Sequence, residues 1–278
     1  MRLILGLLLT ACALQAVEPP ESGGVLVVAA SARDYVLGAG GALAKRIDAG
    51  APVYVVIFGN GDKSAVGLSP SEARKRNRAE AEAAGRKLGV RETLFLGYSE
   101  GYLAQISSSE LRNQLMALFR IYKPDELFFP DWYVHYISDD AYRVGRMAEE
   151  APYGGGSLFL QEYTYMDRGG YAPREYFFYA PDRPYREREG GEGRADFVGE
   201  DVGSTFARKL AALAELATSN TAWAKPGLDA SSYARGFATE LAETIGRRHG
   251  YARAEEFNHL GRGGGVPEHV REHARSAR

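Results

Sequence analysis

The sequence predicts an α/β fold: a doubly wound, mostly parallel sheet that is followed by a C-terminal extension of strands and helices. Two observations predict it. Short apolar runs of strand length, beginning with 25–30 and 53–58, alternate with longer segments of helical period. These runs are apolar throughout, which is typical of strands buried on both faces of a parallel sheet.

The alternation assigns the elements in chain order. The first half is predicted to contain strands at 25–30, 53–58, 93–96 and 126–129, and helices at 36–49, 69–88, 110–122 and 139–151. After Pro152 the pattern changes, and it predicts strands at 157–166 and 175–180 and helices at 205–217 and 231–248. In a doubly wound sheet, ligands bind beyond the carboxyl ends of the strands.

The N-terminus is typical of an exported protein. Arg2 precedes a short apolar run at 3–9, and the sequence Leu-Thr-Ala-Cys that ends at Cys12 resembles a bacterial lipobox. We expect residues 1–16 to be a lipoprotein leader with Cys12 lipidated, or an ordinary cleaved signal peptide. The protein would then be exported, either lipid-anchored in the cell envelope or periplasmic.

The remaining organisation is simple. Residues 17–24 are predicted to be a linker, 25–260 one domain, and 261–278 a disordered tail. Cys12 is the only cysteine, which excludes a disulfide within the chain. The formal net charge of -2 gives no argument for a nucleic-acid partner. A membrane partner is expected only through a lipid on Cys12.

Several short motifs occur in a recognisable order. Residues 37–44 are Leu-Gly-Ala-Gly-Gly-Ala-Leu-Ala, 96–101 are Leu-Gly-Tyr-Ser-Glu-Gly, and 254–257 are Ala-Glu-Glu-Phe. Together they resemble the PIG-L/LmbE family of zinc-dependent N-deacetylases. The resemblance implies a Rossmann-like, LmbE-type domain. The glycines at 38, 40 and 41 lack the spacing of a dinucleotide site, so we expect them to allow close helix–sheet packing.

The resemblance also locates the family's catalytic positions, and most of them are changed. The family's first loop supplies a His ligand, a Pro, an Asp base and an Asp ligand, where residues 31–34 here are Ser-Ala-Arg-Asp. Its second motif, His-Pro-Asp-His, ends in a third ligand, where residues 138–141 are Ser-Asp-Asp-Ala. Asp34 is therefore the only retained catalytic position, and Arg33 stands at the position of the base.

These changes argue against a bound zinc ion. A catalytic zinc site takes three protein ligands, and a guanidinium repels a dication and accepts no proton. We expect no cofactor, and we hypothesise that Arg33 pairs with Asp34, Asp139 or Asp140 across the cleft. The candidate ligand-binding residues are Arg33, Asp34, Glu100, Ser138, Asp139 and Asp140.

Alternatives remain open for the metal and for the function. Asp34, His135 and Asp140 could form a relocated zinc site, although a lone loop histidine is more often a packing or surface residue. The main hypothesis is a zinc-free pseudoenzyme that binds a glycan or amino-sugar ligand. The alternatives are an active amide hydrolase of N-acyl amino sugars and a structural envelope protein.

Overall fold

A computed structural model describes residues 23–132, 138–154, 171–180 and 197–260. The predicted leader with Cys12, the strand at 157–166, the tail at 261–278 and His135 lie outside the described residues. Of the predicted linker only Gly23 and Gly24 are described. The N–H of Gly23 donates to the carbonyl of Lys123 at 2.9 Å, so this end of the segment is fixed to the domain.

The described residues form one mixed sheet of seven strands in the order β3-β2-β1-β4-β5-β7-β6. Strands β1 to β5 are parallel, and β7 is antiparallel to both β5 and β6. The strands are β1 Val25–Ala29, β2 Val53–Gly59, β3 Glu92–Tyr98, β4 Glu126–Pro130, β5 Glu175–Tyr179, β6 Phe197–Asp201 and β7 Ala254–Leu260. The predicted α/β class is confirmed.

Helices cover both faces of the sheet, because alternate residues of the buried strands point to opposite sides. Val25, Val27 and Ala29 pack with α1, α2 and two later helices, whereas Leu26 and Val28 pack with α3 and α4. The helices are α1 Ala32–Asp48, α2 Pro70–Leu88, α3 Ser108–Tyr122, α4 Asp139–Gly154, α5 Phe206–Glu215, α6 Ala217–Trp223 and α7 Ala230–His249. None of the described helices is both long enough and apolar enough to cross a bilayer.

The structure corrects two helix boundaries and adds two strands to those predicted from the sequence. Helix α1 begins at Ala32 rather than 36, since the Asp34 side chain accepts the Ser31 N–H and so stabilises an earlier first turn. The predicted helix at 205–217 ends at Glu215, and α6 follows as a separate helix. Strand β7 has buried polar residues, and β6 is short and partly exposed with polar Glu200 and Asp201, so neither has the apolar pattern that predicts a strand.

The glycine run packs α1 against the later strands, as the sequence predicts. A methyl group on Gly38 would lie 2.5 Å from the Tyr179 ring, and one on Gly41 would lie 2.7 Å from Val202. Both distances are shorter than carbon atoms tolerate, so these positions admit no larger residue without movement.

A buried ion pair holds α1, α5 and β7 together. Lys209 Nζ lies 2.6 Å from Glu255 Oε1, and both side chains are at least 98% buried. Lys209 also donates to the carbonyl of Leu37, and Glu255 accepts the N–H groups of Gly41 and Ala42. The pair is thus bonded to the backbone of α1 at three points.

We predict that Lys209→Met lowers the free energy of unfolding by about 3–5 kcal/mol, because it leaves the Glu255 carboxylate buried and uncompensated. Lys87→Met is the matched control, since Lys87 pairs with Glu215 at the surface, and it should cost under about 1 kcal/mol. Urea denaturation of both variants measures the difference. Equal losses of free energy in the two variants would show that the buried pair contributes no more to stability than the surface pair.

Glu149 is a second buried charge, on the face of α4 that packs against the end of β4. Its Oε2 accepts the indole N–H of Trp132, whereas its Oε1 has no hydrogen-bond partner in the described structure. Burial raises the pKa of Glu149 to about 7, and the neighbouring Glu150 adds to the effect.

This raised pKa predicts a pH-dependent stability. The folded state binds a proton that the unfolded chain, with a pKa near 4.5, has released. Stability is therefore lost as the pH rises from about 4.5 to about 7. Across this window the free energy of unfolding of the wild-type protein should fall by about 3 kcal/mol relative to that of Glu149→Gln. Urea denaturation at pH 4.5 and pH 8 tests this, and a pH-independent difference between wild type and Glu149→Gln would contradict it.

Candidate functional site

The candidate site lies at the carboxyl end of β1, between β2 and β4. At this point the chain connections diverge to the two sides of the sheet, which opens a crevice for ligands. A cleft enclosing about 410 Å³, including its open mouth, occupies the β2–β3 side of the crevice. Its polar lining is Ser31, Arg33, Asn60, Ser64, Asn77, Arg78, Glu100 and Ser219, and its apolar lining includes Ile57, Ala81, Phe95 and Leu216.

The predicted ligand-binding residues divide into two groups. Arg33 and Glu100 line the cleft. The other four, Asp34, Ser138, Asp139 and Asp140, are not among its lining residues. The structure therefore places the cleft on the side of α2 and α6, away from the start of α4.

Arg33 is held at the wall of the cleft by α6. Its Nη1 donates to the carbonyl of Ser219 at 3.2 Å, and its guanidinium lies 5.0 Å from the centre of the Trp223 ring. Such cation–π stacking fixes the plane of the guanidinium. Neither partner was predicted from the sequence, because both lie far from Arg33 along the chain.

The hypothesis that Arg33 pairs with an acid across the cleft is not what the structure shows. Asp34 turns back on its own helix, where Oδ2 accepts the Ser31 N–H at 2.9 Å. The Asp140 carboxylate is directed to another loop, and Asp139 is exposed. Each acid thus has a different environment, and Arg33 bonds to a backbone carbonyl and an aromatic ring instead.

Glu100 brings a half-buried carboxylate to the cleft. It accepts hydrogen bonds from the Lys63 N–H at 3.2 Å and from Ser64 Oγ at 3.0 Å. Burial raises its pKa above the ordinary value for glutamate, and the negative charges of Asp34 and Asp62 raise it further. Donors on a ligand would stabilise the charged form of this group.

Asp62 positions Glu100 by joining the loops that follow β2 and β3. Its Oδ2 accepts Ser99 Oγ at 2.7 Å, and its Oδ1 accepts the Glu100 N–H at 3.1 Å. The Asn60-Gly-Asp-Lys turn after β2 therefore supports the cleft wall.

Asp140 holds the next part of the same wall. Its two carboxylate oxygens accept the N–H groups of Gly101, at 2.6 Å, and Leu103, at 3.1 Å. Only 7% of the residue is exposed, and burial raises its pKa. Because both of its oxygens already accept backbone hydrogen bonds, Asp140 is poorly placed to serve as a metal ligand.

Comparisons with known proteins identify the domain. Residues 26–147 match the model of a family described as PIG-L, GlcNAc-PI de-N-acetylase. Over this segment the chain matches the PIG-L family. The predicted resemblance is confirmed. No curated protein sequence matches the chain.

Solved structures show the same fold over most of the chain. N,N'-diacetylchitobiose deacetylase from Pyrococcus horikoshii has 23% identity and a TM-score of 0.71, covering 85% of this chain and 83% of that one. The 4-carboxy-2-hydroxymuconate hydratase GalB from Pseudomonas putida has 21% identity and a TM-score of 0.64, covering 86% and 96%. The conserved protein TT1542 from Thermus thermophilus has 20% identity and a TM-score of 0.65, covering 84% and 93%. At these identities the likeness shows the fold.

The residues at the PIG-L family's zinc positions do not fit a zinc ion. Ser31 offers a hydroxyl, which is a poor zinc ligand, and the methyl group of Ala141 is packed in the core with 1% exposure. Ser138 Oγ accepts the Ala141 N–H at 3.3 Å and so caps α4. Asp34 alone offers a carboxylate. The relocated site with His135 lies partly outside the described residues and stays a prediction.

Asp140 and Asp139 allow a matched test of the cleft wall. Asp140→Ala leaves two N–H groups of the β3 loop without their acceptor, so it should lower the free energy of unfolding by about 2–4 kcal/mol. Amide hydrogen exchange at Gly101 and Leu103 should accelerate in the same variant. Asp139→Ala, at the exposed neighbour, should change neither quantity appreciably, and similar effects from both variants would refute the assigned role of Asp140.

Proposed function

We propose that this PIG-L protein is a zinc-free member of its family that binds an N-acyl amino sugar or a glycan containing one. The observation that carries the proposal is Arg33, a permanent cation fixed by Ser219 and Trp223 where the family has its general base. A cation here disfavours a metal ion nearby and performs no proton abstraction. The domain keeps a cleft while it lacks the groups that deacetylation needs.

The lining of the cleft suits an amino sugar. Asn60, Ser64 and Glu100 offer hydrogen-bonding groups for sugar hydroxyls. Ile57, Phe95 and Leu216 form an apolar wall for the ring faces or the acyl methyl group. A few polar groups on a largely apolar lining is the usual composition of a small-molecule site.

Proteins of the same fold support this ligand class by analogy. The Pyrococcus horikoshii neighbour is a deacetylase of N,N'-diacetylchitobiose and was solved with an inhibitor, and a deacetylase in teicoplanin biosynthesis shares the fold at 13% identity and a TM-score of 0.54. GalB, a hydratase, shows that the fold alone does not determine the reaction. The analogy therefore supports the proposed class of ligand. The proposal that the protein uses no zinc rests on the side chains of this chain.

The proposed place of action is the cell envelope. It rests on the N-terminal sequence, where Cys12 is the expected lipidation site. Multiple acyl chains on this residue would anchor the domain firmly to a membrane, and cleavage as an ordinary signal peptide would release it to the periplasm.

A second candidate function is an active hydrolase of N-acyl amino sugars with a rearranged site. The observation that favours it is Glu100, a half-buried carboxylate in the cleft with a raised pKa, which is a property of many general acids and bases. Asp34 and His135 would supply ligands if this site used a metal ion.

Calorimetry and a deacetylation assay distinguish the two candidates. We expect N-acetylglucosamine or its oligomers to bind the protein equally in chelator and in added zinc, with no acetate released. Acetate release that depends on zinc and is lost in Asp34→Ala would establish the hydrolase instead.

A reconstructed site is the positive control. The triple variant Ser31→His, Arg33→Asp, Ala141→His returns the family's ligands and base to their positions. Titration with zinc should show one tight site in this variant and none in wild type. A tight site in wild type would overturn the zinc-free assignment.

A further inference from the structure

We propose that the ligand of the cleft carries a carboxylate group, and that the guanidinium of Arg33 binds it. This inference rests on the proposed function and narrows its ligand class from amino sugars in general to acidic amino sugars. It follows from the hydrogen-bonding state of the charged groups around the cleft.

Arg33 has unused binding capacity. A guanidinium carries five N–H donors, and within the described part of the chain Ser219 O is its only acceptor. No described carboxylate forms an ion pair with it. Its stacking on Trp223 already fixes its orientation, so a ligand would lose little further side-chain entropy on binding it.

The other charged groups of the cleft are already engaged. Arg78 pairs with Glu82 at 3.2 Å and lies over the Phe95 ring. Glu100 accepts bonds from two groups of the loop after β2. Arg33 is thus the cation of the cleft that has no ion-pair partner among the described residues.

The surroundings favour one negative charge on the ligand rather than two. Apolar walls at Ile57 and Leu216 reduce the screening of a charge pair. Glu100, with Asp34 and Asp62 close enough to raise its pKa, would repel a dianion such as a phosphate monoester. A planar carboxylate also matches the fork of a guanidinium through two parallel hydrogen bonds.

The experiment compares acids with their neutral esters on the wild-type protein. The probes are N-acetylmuramic acid and 2-acetamido-2-deoxyglucuronic acid, which carry the carboxylate at different positions of the ring, together with the methyl ester of each. We expect at least one acid to bind about tenfold or more tightly than its ester. The ratio should fall at high salt, because the contact is ionic. N-acetylglucosamine 6-phosphate should bind more weakly than that acid.

Variants then assign the effect to Arg33. Arg33→Gln should remove the preference for the acid, and Arg33→Lys should retain part of it, since it keeps the charge without the planar fork. Arg78→Gln is the control, because Arg78 is a guanidinium of the same cleft that already has an ionic partner. It should leave the ratio of acid to ester affinity within about threefold of wild type.

The outcomes separate the two proposals. Equal binding of acids, esters and N-acetylglucosamine overturns the carboxylate inference and leaves the proposed function standing. Tightest binding of the phosphate also overturns it in favour of a dianion. If none of the sugars binds, both the ligand class of the proposed function and the carboxylate inference are wrong.

Discussion

The position of α1 against the sheet is the constraint on which the site depends. Gly38 and Gly41 let the helix approach Tyr179 and Val202 closely, and the buried pair of Lys209 and Glu255 bonds to its backbone. The helix starts directly after β1, so fixing its body also fixes its first turn, which carries Arg33. The fold shared with the deacetylases is thereby held in place, although the residues at the family's ligand positions differ.

A guanidinium in the cleft offers different chemistry from the zinc ion that the family resemblance implies. A zinc ion would lower the pKa of a bound water and polarise an amide carbonyl, whereas a guanidinium held by Ser219 and Trp223 offers positive charge and directional N–H donors. Such a group recognises an anion but neither activates water nor accepts a proton. Glu100, Asp62 and Asp140 then keep the opposite wall in shape through hydrogen bonds to loop N–H groups.

Much of the fold follows from the sequence because the parallel strands are continuously apolar and their helices have clear periodicity. β7 was missed because Glu255, Glu256 and Asn258 are buried polar residues, which no hydrophobic pattern marks as a strand. Lys209 gave a detectable signal, since it lies in line with Phe206 and Leu213 on the buried face of α5. The partners of Arg33 could not be predicted, because its contact with Ser219 spans 186 residues of sequence.

The central claim is that the residues at the family's zinc positions do not retain a metal ion. The most direct measurement is the zinc content, by elemental mass spectrometry, of folded protein purified from zinc-replete medium. The account predicts zinc well below one ion per chain. One tightly bound zinc per chain, lost in Asp34→Ala, would contradict it and return ordinary deacetylation as the function.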